Sequence, residues 1–346
     1  MFKELQPMNR KREMILAVDG GATKTVALVY DEVNLKLRGV GLSGPTNLTS
    51  VSRKEVISNI KLSVSKACEE AGIKIEDLKK GIFGIAGIGD SPSMTEFGKK
   101  VISESMGRKD FQAMNDGRPA YEMANMGSDG IVFAGGTGSV AFFKIGNSLE
   151  RRGGWNWFAG DNASASWIAK KALNLATLEY DGIIQGTELI KSVETYFGME
   201  FTEAVSAVLF KQNKSYISGF APIITKLALS GSKPANDILE ECADYVVNLV
   251  ESILPRFNNS PRISLVGGTM LAGDIYTRRI QKRLNRKIFV YFGYQVAIGG
   301  ILILFQQLGI ECGFVLRDDI LNQMEELLNR KSKAELSKYL FIERGN

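Results

Sequence analysis

Three glycine-rich turns, each directly after a short apolar run, constrain the fold of this chain more than any other feature. They are DGGATKT (19–25), GGTGS (135–139) and GGT (267–269), and the runs before them are MILAVD, GIVFA and RISLV. After the first two turns a second apolar run follows at once, which predicts a strand rather than a helix. Neither the P-loop pattern GxxxxGK[ST] nor a Rossmann GxGxxG that opens a helix is present, so phosphate binding at a helix N-terminus is not indicated.

The strand–turn–strand unit of residues 14–31 is repeated at residues 130–143. We interpret the repeat as an internal duplication, with chance similarity of two short units as the alternative. Between and after these units, strand-like runs alternate with stretches of helical periodicity, which is typical of an α/β fold. Strands are predicted at 81–87 and 111–116, and helices at 52–71, 93–106, 161–176 with Asp161 or Asn162 as N-cap, within 184–258, at 295–309 and in an amphipathic tail at 317–341.

No linker rich in Pro, Gly or Ser divides the chain, so the domain boundary is expected between consecutive elements, near residue 127. The predicted organisation is a first half-domain at 1–126, whose residues 1–13 form a flexible leader, and a second half-domain at 127–292 with a helical insertion. Residues 293–346 are predicted to be helices that return to the first half.

Composition excludes several classes of function. The apolar fraction of 45% and charged fraction of 23% are ordinary for a soluble protein, and no run approaches the ~18 apolar residues of a membrane span. With no histidine, the chain can have neither a Ser-His-Asp triad nor a His-ligated zinc site. The three scattered cysteines indicate a reducing, cytoplasmic setting, and a net charge of +5 without a basic stripe argues against nucleic acid.

The glycine turns predict phosphate handling. Glycine lets a phosphate approach the backbone closely, and successive exposed N–H groups form a concavity that binds anions. Hydroxyl donors stand beside the glycines at Thr23, Thr25, Thr137 and Ser139. Any one of these turns can serve only to reverse the chain, without binding phosphate. The prediction of phosphate binding therefore rests on the three turns together.

Two aspartates, Asp19 and Asp116, are predicted to end neighbouring strands. Carboxylates at the carboxyl ends of strands converge on one edge of such a sheet. One can hold Mg²⁺ through water, and the other can accept the proton of an attacking hydroxyl. For Asp116 the alternative is an N-cap for a helix that begins at 117, and the two roles are compatible.

The ordered motifs DGGATKT, ND, GGTGS, GGWNWFAGDNASASW and VGGT closely resemble the BadF/BadG/BcrA/BcrD ATPase family, and within it the N-acetylglucosamine kinase-like sugar kinases. The likeness extends from about residue 14 to 309. It implies a duplicated actin-like ATPase (ribonuclease H-like) fold, with two half-domains around a nucleotide cleft. It also implies ATP and Mg²⁺ as cofactors, a small sugar as substrate and a homodimer.

The resemblance assigns roles to the matching positions. Asp19 would lie near Mg²⁺ and Asp116 would be the catalytic base. The expected ATP contacts are Gly20, Gly21, Thr23 and Lys24 in the first turn, Gly136, Thr137 and Gly138 in the second, and Gly267, Gly268 and Thr269 in the third. The expected sugar contacts are Asn47, Asp116, Gly154, Trp155 and Asp161, to which we add Gly87 at the exit of the strand 81–87. Gly299 and Gly300 match a helix crossing of small residues of the kind expected at a hinge.

Departures from the family pattern leave the sugar open. Asn162 stands where an acidic residue is usual, and Arg118 follows the proposed base where small or aliphatic residues are usual. N-acetylglucosamine or a plain hexose is one candidate. An acidic sugar such as 2-keto-3-deoxygluconate is the other, because the guanidinium of Arg118, Arg151 or Arg152 suits a carboxylate. Otherwise these arginines are solvated, or paired with Glu122 and Glu150.

Two functions of other classes remain as alternatives. Some relatives are ATPases that activate a 2-hydroxyacyl-CoA dehydratase or benzoyl-CoA reductase and hold an iron–sulfur cluster through cysteines. A regulatory module with a degenerate nucleotide site is the other. Among the tryptophans, Trp155 is predicted to stack on sugar or close the site, and Trp167 to pack in the core.

Overall fold

The computed structural model describes residues 13–186, 188–210 and 214–342. All but the last residue of the expected leader at 1–13 therefore lies outside the described residues. The described chain forms two compact units, one containing the residues up to Met126 together with those from Gln295 onward, the other containing Gly127–Tyr294.

The first unit is built on a five-stranded sheet of order β3-β2-β1-β4-β5. Strands β1 and β2 form the predicted antiparallel hairpin, with Gly20 paired to Thr25, and β4 and β5 extend the sheet in parallel. The elements are β1 (Met14–Gly20), β2 (Thr25–Asp31), β3 (Lys36–Ser43), α1 (Arg53–Ala71), β4 (Leu78–Ile85), α2 (Pro92–Met106), β5 (Gln112–Met114) and α3 (Gly117–Asn125).

Local signals in the sequence explain the first helix. The Ser52 hydroxyl accepts a hydrogen bond from the Glu55 amide, and Gly72 ends the helix in the left-handed region with φ 67°. Its apolar face, with Val56, Ile60 and Val64, is fully buried against the sheet. The predicted helix at 52–71 is confirmed.

The second unit repeats this plan with a five-stranded sheet of order β10-β9-β6-β7-β8. Its elements are β6 (Gly130–Gly135), β7 (Ser139–Ile145), β8 (Ser148–Gly153), α4 (Asn156–Ala159), α5 (Ala165–Tyr180), α6 (Leu189–Phe197), α7 (Phe201–Phe210), α8 (Lys214–Ser218), α9 (Ala221–Leu229), α10 (Lys233–Ile253), β9 (Arg262–Val266), α11 (Asp274–Leu284) and β10 (Ile288–Tyr291).

The two sheets share one topology. In each, three antiparallel strands in sequence order are followed by two parallel strands, and the first hairpin carries a glycine turn. The predicted duplication is therefore confirmed. Strands β8 and β10 were not predicted: β8 carries exposed and partly exposed residues, Ser148 to Gly153, and so lacks an apolar run.

The chain ends in three helices that pack in the first unit: α12 (Ala297–Gln307), α13 (Phe314–Leu328) and α14 (Lys333–Leu340). Helix α12 is apolar on all sides and buried from Ala297 to Phe305. The tail is amphipathic as predicted, and ion pairs tie it to α1: Lys66 with Glu335 at 2.7 Å, and Lys331 with Glu70 at 3.2 Å.

Two predicted boundaries were wrong. Helix α5 begins at Ala165 rather than 161, because Asp161 and Ala163 adopt left-handed backbone angles (φ 52° and 62°) and Ser164 supplies the N-cap. The strand predicted at 111–116 ends at Met114, so Asp116 lies beyond the strand, at the N-cap position directly before α3. Among the described residues no helix is both long and apolar enough to cross a membrane.

Candidate functional site

The first glycine turn is fixed by hydrogen bonds from two neighbouring loops. The Gly21 amide donates to the Lys24 carbonyl at 3.0 Å, and the Gly21 carbonyl accepts from the amides of Thr46 and Asn47 at 2.9 and 3.1 Å. The Gly20 carbonyl accepts from Ala86 at 2.8 Å. The turn, the loop of Asn47 and the exit of β4 before Gly87 are thus joined in one assembly.

Asp19 is a buried carboxylate at the end of β1, 8% exposed. Burial raises its pKa to about 7; the nearby Lys24 opposes this shift and Asp116 adds to it. None of the described residues donates a hydrogen bond to its carboxylate. Since a buried anion without donors is costly, this position favours a bound cation. Burial also lowers the pKa of Lys24, against the attraction of Asp19.

Gly84 explains why Asp116 can affect Asp19. In the parallel register of β1 and β4, Asp19 is paired with Gly84, and a Cβ on Gly84 would lie 3.5 Å from the Asp116 Cα. The absence of a side chain at Gly84 lets α3 approach the sheet edge. Both aspartates therefore lie at the same carboxyl edge of the first sheet, although Asp116 directly precedes a helix and does not end a strand.

Asp116 occupies the N-cap position of α3, but its side chain makes no capping hydrogen bond. Asn115 does this work, since its Oδ1 accepts from the Gly117 amide at 2.9 Å while its Nδ2 donates to Ile88. Loss of surrounding water raises the pKa of Asp116 to about 6, and Asp90 adds to the rise, while its own amide and that of Gly117 oppose it. The N-cap alternative is therefore correct for the position of Asp116 in the chain, but the carboxylate itself does not cap the helix.

The remaining candidates of the first unit surround this edge. Asn47 uses its Oδ1 to accept from the amide and hydroxyl of Thr49, at 2.9 and 2.7 Å. Gly87 has φ 98°, and a Cβ there would lie 3.1 Å from that of Leu48. Arg118 is exposed and forms an ion pair with none of the described carboxylates. The alternative pairing of Arg118 with Glu122 is not found, because Glu122 accepts from Gln306.

The second glycine turn lies in the second unit, against the N-terminus of α5. The Gly136 amide donates to the Gly138 carbonyl at 2.8 Å, and the Gly136 and Thr137 carbonyls accept from Ala165 and Ser166 at 2.9 and 3.4 Å. The backbone carbonyls are thus occupied. The Gly138 amide has no acceptor among the described residues, which leaves it available to an anion.

Asp161, a predicted sugar contact, lies directly beside this turn. It is 6% exposed, and its Oδ2 accepts from the Lys214 ammonium at 2.8 Å. A Cβ on Gly138 would lie 2.7 Å from the same Oδ2. On the other side, the Asn162 side chain bonds the Tyr245 phenol, whose pKa is raised mainly by burial and further by Asp161.

The segment from Gly154 to Gly160 exposes aromatic rings. Trp155, Trp157 and Phe158 are 65%, 38% and 83% exposed, and the Arg151 guanidinium lies 5.5 Å from the Trp155 ring centre. Apolar side chains exposed together on one short segment are typical of a binding surface. Trp167 instead packs against the apolar core, as predicted. Glu150 pairs with Arg256 at 2.8 Å, not with the neighbouring arginines.

The third turn contacts the second turn through its backbone. Gly267 has φ 127°, and a Cβ there would lie 2.1 Å from the Gly135 carbonyl oxygen. The Thr269 hydroxyl donates to the same oxygen at 2.9 Å, so this hydroxyl is engaged within the protein. Gly268 begins a short 3₁₀ helix, Gly268–Ala272. The two turns of the second unit therefore form one continuous surface.

Several residues of these sites were not predicted from the sequence: Gly84, Asn115, Lys214 and Tyr245. Lys214 is 53 residues from Asp161 and belongs to a five-residue helix in the helical insertion. No spacing in the sequence distinguishes it from the other lysines. Asn115 could have been found, because an Asn side chain commonly accepts a hydrogen bond from the backbone amide two residues on, in an Asx-turn.

Comparison with known proteins decides the family. The model of the BadF/BadG/BcrA/BcrD ATPase family matches residues 16–303. The chain belongs to this family. Membership in an ATPase family implies that the chain binds ATP.

A curated relative extends the comparison. The N-acetylmuramic acid/N-acetylglucosamine kinase of Clostridium acetobutylicum is 22% identical over 282 residues, which is 78% of this chain and 90% of the relative.

Solved structures show the fold. A "Putative N-acetylglucosamine Kinase" from Chromobacterium violaceum has a TM-score of 0.70 at 21% identity, covering 85% of this chain and 99% of that one. A ROK family glucokinase from Streptomyces griseus, in complex with glucose and AMPPNP, has a TM-score of 0.56 at 17% identity, with coverage of 85% and 99%. The fold is thus the duplicated actin-like ATPase fold that the motifs predicted.

Proposed function

We propose that the protein is an ATP-dependent carbohydrate kinase that transfers the γ-phosphoryl group to a hydroxyl of a small sugar. The observation that carries this proposal is the Asp116 carboxyl, which caps no helix, has a pKa of about 6 and shares one sheet edge with Asp19. The similarity to kinases of N-acetylmuramic acid, N-acetylglucosamine and glucose supports the acceptor class.

Asp116 would act as the general base. Its carboxylate accepts the proton of the sugar hydroxyl as the oxygen attacks the γ-phosphorus, and the bond from that phosphorus to the β–γ bridging oxygen breaks to release ADP. A base with a pKa near 6 is ionised at neutral pH and still basic enough to take a proton from a hydroxyl as it attacks. Asn115 positions the start of α3 and hence Asp116.

Asp19 is the residue we propose for Mg²⁺. No cluster of three or more acidic, Cys or His side chains suited to a metal occurs among the described residues. Mg²⁺ does not need one, since it takes one or two carboxylates together with water and phosphate oxygens. The buried carboxylate of Asp19, without hydrogen-bond donors, meets that requirement. When bound, the ion would neutralise charge on the transferring phosphoryl group.

The glycine turns would bind the nucleotide. In the first unit Gly20, Gly21, Thr23 and Lys24 would contact phosphate oxygens. In the second unit Gly136, Thr137 and Gly138 would do the same through the free Gly138 amide, and Gly267 and Gly268 would lie against adenosine. Because the Thr269 hydroxyl already donates to Gly135, we assign Thr269 a role in holding the two turns together.

For the sugar we propose the contacts that were predicted from the sequence. Asn47, Gly87 and Arg118 belong to the first unit, and Gly154, Trp155 and Asp161 belong to the second. The Asp161 carboxylate is shared with Lys214, so it accepts a sugar hydroxyl only with its remaining lone pairs. Arg118 is exposed and pairs with none of the described carboxylates, so an acidic sugar stays a candidate beside N-acetylglucosamine or a hexose.

The test is a Mg·ATP-coupled assay against glucose, N-acetylglucosamine, N-acetylmannosamine, gluconate and 2-keto-3-deoxygluconate. Sugar-dependent ADP release, with the phosphorylated sugar detected by mass spectrometry, is the expected result. ATP hydrolysis that no sugar of this panel accelerates would contradict the proposal.

The alternative, an activator ATPase with an iron–sulfur cluster, receives no support from the cysteines. Cys68 and Cys242 are buried, and burial raises the pKa of Cys68 and of the partly buried Cys312 to about 11. Such thiols resist conversion to the thiolates that iron requires. The homodimer stays a prediction, to be checked by light scattering.

A further inference from the structure

The ion pair of Lys214 and Asp161 joins the helical insertion to the second glycine turn. Lys214 is the first residue of α8, and its side chain is 26% exposed, whereas that of Asp161 is 6% exposed. A pair this enclosed lies in a medium where removal of one partner is costly to the other. Lys214 is therefore held in one place by Asp161.

The Lys214 ammonium lies at the surface of the second glycine turn. A Cβ on Gly138 would lie 3.3 Å from the Lys214 ammonium, so the ammonium lies close to the backbone of the turn. The Gly138 amide, without an acceptor among the described residues, belongs to the same short stretch. One positive charge and one free N–H donor thus lie side by side.

The Lys214 ammonium has more hydrogen-bond donors than the described residues use. It carries three N–H groups, and the described residues give it one partner, Asp161. A carboxylate that fixes a lysine while leaving two of its donors unused is an arrangement suited to a second anion. Since the turn already offers backbone donors, an anion there would meet charge and N–H groups together.

We propose that Lys214 is a phosphate-binding residue of the second turn, positioned by Asp161, and that it contacts a terminal phosphate of ATP. This inference about Lys214 depends on the proposed function in one respect, the assignment of the second turn to phosphate binding. It also explains Gly138: any side chain at this position would collide with Asp161 and displace the ammonium. Asp161 then acts through Lys214 as a positioning residue, in addition to any contact with sugar.

The experiment compares nucleotide affinities by titration calorimetry, with ATP, ADP and adenosine as probes. Lys214→Met is expected to weaken the binding of ATP at least tenfold and that of ADP by less. The affinity for adenosine should stay within twofold of wild type. Lys214→Arg should restore most of the ATP affinity. Lys171→Met is the matched control, because it removes another ion pair of this unit, with Glu241 at 2.6 Å, and should leave all three affinities unchanged.

Lys214→Gln keeps a hydrogen-bond donor for Asp161 without the charge, and it serves if the methionine variant does not fold. Unchanged ATP affinity in a folded variant, or an equal loss for ATP and adenosine, would overturn the proposal, the latter by showing a purely structural role. A wild-type protein that binds ATP in this manner but phosphorylates no sugar would reject the kinase proposal alone.

Discussion

Gly299 of α12 contacts the backbone of Pro119 in α3 so closely that a Cβ on Gly299 would lie 1.9 Å from the Pro119 carbonyl oxygen. Pro119 is three residues after Asp116, so this crossing fixes the position of α3 and, with it, that of the proposed base directly before the helix. Gly300 approaches β1 in the same way, with a Cβ expected 2.9 Å from that of Ala17. The small-residue crossing predicted from the sequence is present, and its role as a hinge stays a prediction.

Gly299→Ala should destabilise the protein, because the added methyl group must push α12 and α3 apart. Overpacking of this kind costs about 1–3 kcal/mol. Urea unfolding measures the loss, and kcat should fall with it as Asp116 moves. Gly313→Ala is the control, since nothing lies within 4 Å of the Cβ position of Gly313; it should cost less stability than Gly299→Ala, because it changes only the N-cap of α13.

Asp116→Ala should lower kcat by at least ~10²-fold, the usual contribution of a general base, with the ATP dissociation constant unchanged. Steady-state kinetics and calorimetry give the two quantities. Asp90→Asn, which removes a negative charge that helps to raise the pKa of Asp116 but keeps the base, should keep kcat at pH 8. Turnover near wild type in Asp116→Ala would exclude Asp116 as the base.

The pH dependence of kcat/KM should show an acid limb. The pKa of Asp116 is raised to about 6, and the base must be ionised, so activity falls as pH drops below about 6. In Asp90→Asn the limb should move to lower pH, because a like charge that helps to raise the pKa is gone. A profile that stays flat down to pH 5 in the wild type would contradict this assignment.

Asp19→Asn should stabilise the protein without metal at pH 8. The pKa of Asp19 is raised from 3.8 in the unfolded chain to about 7 in the folded protein, so its contribution to stability is present at low pH and lost as pH rises to about 7. The variant does not suffer this loss, so its advantage in Tm should shrink as pH falls from 8 toward 4. Added Mg²⁺ should raise the wild-type Tm and leave the variant unchanged; equal responses would exclude Asp19 from the metal site.

Arg118→Ala discriminates between the sugar classes. If the exposed guanidinium binds a carboxylate, KM for 2-keto-3-deoxygluconate should rise about tenfold, the loss expected for one charged hydrogen bond of ~1.4 kcal/mol or more. KM for N-acetylglucosamine should not change. Arg256→Ala, which breaks the surface pair with Glu150, is the control and should alter neither KM. An unchanged KM for the acidic sugar removes the argument for it.

The sequence by itself determined the α/β class, the duplication and the positions of the glycine turns in the two hairpins. These features are local: a buried strand, a glycine turn and a second strand are neighbours along the chain, and their apolar pattern and turn residues determine them. The hairpins of Gly20 with Thr25 and of Gly135 with Ser139 were predicted for this reason.

Only the tertiary structure decided what touches these turns. Lys214 binds Asp161 although the two are 53 residues apart. Gly299 contacts Pro119 although all residues of the second unit lie between them in the sequence. Gly84 allows Asp19 and Asp116 to lie at the same sheet edge. The same holds for the start of α5, which was predicted at 161 with Asp161 or Asn162 as N-cap: the left-handed residues Asp161 and Ala163 delay the helix until Ala165. Contacts of this kind depend on packing between elements distant in sequence, and a local pattern carries no information about them.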